Sequence, residues 1–287
     1  MRENGSLSLH FEGEIVVDHM VSARTLGKSL VHTQNAIDRA YLDLKYGNLW
    51  KYARIRGDDY PSADFVALYP EEGGFVQKLF SETGRQIVNR ISSALMPAME
   101  RVLAEGEDVA SSMLQQVENR KRQIAHGIIE PTHFQALVEN PGEKVIRTYA
   151  DRSINREIDQ VLSIIRSNNS GESFLEIDTY GDKHIKYEFN KFKSAKFHSI
   201  VSRREIGEPV IYLSRVRQLD RDRLNGKVIN LENKKTVIVH FLHDNDFVKA
   251  HPYLGNNNEM VFIGAPVIEY GAFDPNAGDI YFIDLLG

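Results

Sequence analysis

The chain has 287 residues, no cysteine and a formal net charge of −5, from 40 acidic against 35 basic side chains. An apolar fraction of 42% and a charged fraction of 26% are those of an ordinary globular chain, so disorder as the default is excluded. Without cysteine there is no disulfide scaffold, zinc–thiolate site, iron–sulfur ligation or thiol nucleophile. The mild charge announces no polyelectrolyte partner for the chain as a whole.

The opening residues lack the apolar core of a secretory signal. No stretch approaches the roughly 18 apolar residues of a membrane span, and the last residues carry no lipidation box. The expectation is a soluble cytoplasmic protein with no membrane partner.

Leu7, Leu9 and Phe11 alternate with Ser8, His10 and Glu12, the period of a half-buried strand. Residues 15–17 extend the sheet. Leu26, Leu30, Thr33, Ile37, Tyr41 and Leu44 then share one helical face, with Ser22 as N-cap and Gly47 as the residue after the last turn. Residues 52–56 and 64–69 read as strands, and 75–80 as an antiparallel return after the turn at residues 71–74. Ser81 opens a long helix on Ile87, Ile91, Leu95 and Met99, with a kink or restart at Pro97. Val109, Met113, Val117 and Ile124 carry a second helix; Phe134 and Leu137 mark a short one. Ile154, Ile158, Leu162 and Ile165 define another, closed by the polar string at residues 167–171, which reads as a domain boundary.

Beyond that string the period falls to two. Residues 174–178 and 184–189 read as a hairpin, and 197–201 and 210–216 as strands. Residues 227–231 and 237–242 form a second hairpin. A helical turn over 246–254 precedes strands at 260–263, 268–270 and 279–283. The fold class is therefore α+β. Residues 1–168 form an N-terminal layer with long helices and a helical second half. Residues 172–287 form a mainly β domain ending in a small barrel from about residue 209.

Two resemblances accompany this pattern. Gly226-Lys-Val228, Val237-Ile-Val-His-Phe241, the helical insert and Met260-Val-Phe-Ile-Gly264 resemble the rhythm of five-stranded barrels of the OB or SH3-like type. Leu9-His-Phe-Glu-Gly13, Leu26-Gly-Lys-Ser-Leu30 and Ala36-Ile-Asp-Arg-Ala40 resemble the opening of an uncharacterised prokaryotic family found among mobile-element and antiphage-defence genes. The second resemblance implies a setting and brings no catalytic motif with it.

The strongest functional signal is the basic stretch at residues 183–227. Lys183, Lys186, Lys191, Lys193, Arg203, Arg204, Arg215 and Arg217 are its candidate phosphate contacts, with Tyr187 and Phe192 as candidate stackers. Cations release counterions from phosphates, and aromatic faces stack on unpaired bases. The bland alternative is a solvated sheet face whose aromatics are core. His240, His243, Asp244, Asp246 and His251 suit a turn and helix cap, with Asp246 capping, better than a metal site. Asp178, Asp182, Glu188 and Lys191 lack the close acid-x-lysine spacing of a metal-dependent nuclease. Met96, Met99 and Met113 on the helices suit a protein interface as well as a core.

The leading expectation is thus a non-enzymatic binding or assembly protein, a sensor or adaptor with a nucleic-acid-binding basic face, with no cofactor and no catalytic or metal residues. Homo-oligomerisation or a partner protein accompanies it. The rivals are a nuclease or phosphodiesterase using Asp178, Asp182 and Glu188 or Asp244 and Asp246, and a purely structural homo-oligomer.

Overall fold

The computed structural model describes residues 4–47, 49–71, 74–104, 111–255 and 258–286. In chain order it runs β1 (Gly5–Glu12), a small hairpin of β2 (Val16–Val17) and β3 (Met20–Val21), and α1 (Ala23–Tyr46). A 3-10 turn leads to α2 (Tyr60–Ala63), β4 (Val66–Ala67), β5 (Phe75–Ser81) and α3 (Arg85–Leu103). Next come α4 (Met113–Ala125), β6 (Thr132–His133), α5 (Phe134–Glu139) and α6 (Tyr149–Arg166). Then follow β7 (Phe174–Tyr180), β8 (His184–Phe189), α7 (Lys191–Val201), β9 (Arg204–Ile206), β10 (Val210–Asp220), β11 (Asn225–Asn230) and β12 (Lys235–His240). The chain ends with α8 (Asp244–Ala250), β13 (Met260–Glu269) and β14 (Ile280–Leu285). Among the described residues no helix is long and apolar enough to cross a membrane.

Two compact units result. The first comprises Met1–Leu49, Ala53–Glu107 and Ala150–Ser202; the second comprises Trp50–Tyr52, Asp108–Tyr149 and Arg203–Gly287. The units interleave along the chain, unlike the linear halves 1–168 and 172–287 read from the polar string at 167–171.

The first unit is an antiparallel sheet in the order β4-β5-β1-β7-β8, with helices on one face. β1 is central. Leu7, Leu9 and Phe11 bury on its helical side, with Leu79 and Phe75 of β5 and Ile177 and Leu175 of β7 beside them. This pairing draws the 174–189 hairpin into the first unit, because Leu175, Ile177 and Phe189 complete the core that Leu9 and Phe11 begin. α1 is built as its sequence signals. The Ser22 hydroxyl accepts from the Thr25 amide, and Gly47 takes the left-handed conformation at φ 66° that closes the last turn.

Several local expectations give way. Residues 197–201 are the last part of α7, not a strand: the Asn190 side chain caps the Lys193 amide at 2.9 Å, and Ser194, Phe197 and Val201 bury at helical spacing. Residues 52–56 pair with no strand, and 64–69 pair only as the short β4. Ser81 ends β5, and α3 runs from Arg85 through Pro97 to Leu103 without a restart. Residues 15–17 form a separate ribbon with β3. Val109 lies outside the described residues.

The second unit is a closed five-stranded barrel in the order β10-β11-β12-β14-β13, with β13 returning to β10. β12 and β14 run parallel; the other barrel pairs are antiparallel. The helix α8 joins the third barrel strand to the fourth. Val216, Val228, Val237, Val239 and Met260 fill the interior, with Tyr212, Phe262 and Phe282 stacked through it at ring separations of 5.3 and 5.7 Å. Phe134 and Leu137 of α5 and Phe247 of α8 join this core. On the outside, Val117 of α4 packs with Ile263, Ala265 and Ile283, covering β13 and β14. This cluster contains no residue of β10, β11 or β12.

Because Phe262 is fully buried between two rings, Phe262→Ala is expected to destabilise the second unit by about 3–5 kcal/mol. Denaturant unfolding followed by near-ultraviolet circular dichroism checks this; a loss below about 1 kcal/mol would contradict a close-packed barrel interior.

Candidate nucleic-acid interface

The basic stretch is contiguous in sequence and divided in space. Lys183, Lys186, Tyr187, Lys191, Phe192 and Lys193 belong to the first unit; Arg203, Arg204, Arg215 and Arg217 belong to the second. Lys186 donates to Glu176 at 2.9 Å and Lys193 to Glu188 at 3.4 Å. Arg203 pairs with Glu205 at 2.7 Å and Arg204 with Glu269 at 2.8 Å. Tyr187 is no stacker. It points to the helical side of the sheet, is buried, and donates its hydroxyl to the Ser92 carbonyl at 3.1 Å. Phe192 is 72% exposed in the first turn of α7 beside Lys191 and Lys193, and Lys183 sits exposed in the β7–β8 turn. Four of the eight candidate cations are thus paired with carboxylates, two of them across neighbouring strands.

Arg215 and Arg217 differ. Val216 faces the barrel interior, so its neighbours on β10 face outward. Arg215 stands opposite Ile229, which stands opposite Thr236. Lys227 stands opposite Ile238. A register shift between Val216 and Gln218 bulges Arg217 out of the ladder and leaves it exposed. Among the described residues, Arg215, Arg217 and Lys227 make no ion pair, and the buried Nε of Arg215 has no hydrogen-bond partner. Three uncompensated cations therefore line the outer face of the first two barrel strands, beside the apolar floor of Ile229 and Ile238.

The far end of this face is aromatic. Asn225 stands opposite His240, and His240 pairs in turn with Tyr281, the two rings 5.2 Å apart. The strap Trp50–Tyr52 belongs to the same unit. The Lys51 amide donates to Asp274 at 2.8 Å, and the Lys51 ammonium reaches Asp279 at 2.5 Å. The other Asp279 oxygen lies 3.2 Å from His240 Nε2. Trp50 and Tyr52 meet edge to face at 5.8 Å, and Lys235 sits over the Trp50 ring at 4.9 Å. Burial alone would raise the Asp279 pKa, but hydrogen bonds from His240 and Lys51 outweigh it and hold the carboxyl below its usual range. Burial pushes the Tyr281 hydroxyl up.

The strap escaped the sequence reading because it lies in no periodic segment. The available signal was compositional: the one tryptophan of the chain stands in the run Trp50-Lys51-Tyr52.

The acidic alternatives are individually absorbed. Asp246 does not cap α8. The cap position is His243, and the buried Asp246 carboxylate receives Lys121 at 2.6 Å. Asp244 pairs with Arg221, His243 with Glu118, and Asp178 with His184 at 2.6 Å. Asp182 accepts from Asn89 at 2.8 Å. Among the described residues no three potential ligands converge on a metal position. Comparison of the chain with protein-family models, curated proteins and solved structures finds no match.

A carboxylate with a depressed pKa stabilises the fold above its unfolded value of about 4 and loses that contribution as pH falls through the lower folded value. Wild-type protein is therefore expected to lose stability between about pH 4 and the folded value of Asp279, and Asp279→Asn to flatten that part of the profile. Thermal melts across the acid range test this; parallel profiles for the two proteins would contradict the ion pairing.

Proposed function

We propose that the second unit binds single-stranded nucleic acid, without catalysis, on the outer face of β10, β11 and β12. The observation that carries this reading is the set of uncompensated cations Arg215, Arg217 and Lys227 on one barrel face that ends in paired aromatic rings. Phosphates are bound by cations that release their counterions, and bases stack on aromatic surfaces without regard to sequence. The face of the second and third strands is where OB barrels hold oligonucleotides, and β11 and β12 are those strands here. The first unit then supplies the framework or assembly half of a sensor or adaptor. The resemblance of its opening segments to a mobile-element and antiphage-defence family suits that role.

Anisotropy titration with labelled single-stranded DNA and RNA tests the reading. Three phosphate contacts predict a salt slope near −2, from about −0.7 per contact on a single strand. Arg215→Glu combined with Arg217→Glu is expected to weaken binding at least about tenfold, while Lys191→Glu in the first unit leaves it within about twofold. Absence of binding at low salt, or equal loss from both sets of substitutions, would overturn the assignment to the barrel face.

A further inference from the structure

We propose, resting on the binding reading above, that Asp279 is an internal stand-in for a ligand phosphate. It holds Lys51 and His240 on the barrel until a phosphodiester group displaces it from Lys51. Both carboxylate oxygens are engaged, one by the Lys51 ammonium at 2.5 Å and the other by His240 at 3.2 Å. The anion lies between two aromatic groupings: His240 is against Tyr281, and the Lys51 ammonium is 5.8 Å from the centre of the Tyr52 ring. A single strand whose bases stack on aromatic side chains carries its phosphates alongside the stack, so an anion site next to aromatic rings lies where a phosphate falls.

The carboxylate is not needed to fix the backbone around it. The Asp279 carbonyl already accepts from the Val267 amide at 2.8 Å, and the Lys51 amide is held independently by Asp274. Lys51 can therefore exchange its anion by rotating its stem while the strap stays docked. The three side chains are 26%, 23% and 30% exposed, so a ligand anion can reach the pair.

Arg215, Arg217 and Lys227 are open to any phosphate, whereas Lys51 is conditional. An isolated phosphate must compete with a carboxylate that is always present. An oligonucleotide already seated on the open cations delivers its next phosphate at high effective concentration. The pair thereby favours polynucleotide over free phosphate.

The experiment compares wild type, Asp279→Asn, Lys51→Met and the double variant by anisotropy with a labelled single-stranded oligonucleotide, thermal melts confirming that each is folded. Asp279→Asn is expected to bind roughly five- to tenfold more tightly at low salt and to steepen the salt slope by up to about 0.7. Adding Lys51→Met should remove the gain. Asp279→Ser replaces Asp279→Asn should the latter melt early. Inorganic phosphate should compete with the wild type no better than chloride at equal ionic strength. If wild type binds and Arg215→Glu with Arg217→Glu weakens it, but Asp279→Asn brings no gain, the carboxylate only fastens the strap and this proposal fails alone. If no variant binds, including Asp279→Asn, the binding reading fails and takes the proposal with it.

Discussion

The barrel surface depends on how β10 divides its hydrogen bonds. Its first half, up to Ser214, pairs with β13; its second half, from Ser214 onward, pairs with β11. One strand thus serves both sides of the closure, and Ser214, fully buried, secures the crossover by donating its hydroxyl to the Met260 carbonyl at 3.0 Å. A strand shared in this way must coil strongly, and the irregularity at Val216–Gln218 supplies the extra twist. The same irregularity turns Arg217 outward beside Arg215. Closure pairs the barrel strands with one another, and the overhanging ends of β10 and β13 are taken up by β6 and β9. The groups it offers to a partner are therefore side chains on a curved face, and those on the uncovered part are mainly basic, aliphatic and aromatic.

Charge density alone does not distinguish that face. The open side of the first unit's sheet also carries ionisable groups, but they are engaged across strands. His10 lies 2.8 Å from Glu176, which also receives Lys186, and Asp178 meets His184. The Lys186–Glu176 pair is a local dipole whose field falls away within a Debye length of about 8 Å in physiological salt. On β10 and β11 the cross-strand positions opposite the cations hold Ile229, Gln218 and Ile238. With no carboxylate opposite, the positive field extends into solvent, and neutralising it falls to the ligand or to counterions.

The architecture was legible where periodicity and capping agreed. Ser22 and Gly47 bound α1 as their chemistry dictates, and the alternation of Leu7, Leu9 and Phe11 identified the central strand. The barrel was visible as short alternating runs around a helical insert. Partnership between distant segments was not legible. Nothing local in residues 174–189 says that β7 pairs with β1, because that choice is made by the complementarity of two apolar faces over a long stretch of chain. The same limit applies to the site. A run of cations in sequence is a run in space only if it stays on one element. Here the run passes from a turn and a strand into a helix, and then into the barrel, so only its last members share a face. α7 was misread because Phe197 and Val201 suit a strand by composition, while the Asn190 cap and the buried Ser194 decide for a helix.

The strap shows why a carboxylate belongs in a cationic site. Lys51 and His240 share one carboxylate, with the Tyr52 and Tyr281 rings beside them. Asp279 fixes both groups in a defined orientation, at the cost of the ammonium's attraction for an external anion. A phosphate replacing the carboxylate on Lys51 would meet an ammonium whose backbone is already held by Asp274 and an imidazole already ordered against Tyr281. The ordering entropy that usually opposes binding has then been met in folding. Pre-organisation comes from Asp274 and Tyr281 and restraint from Asp279, so the restraint can be lifted without loosening the strap.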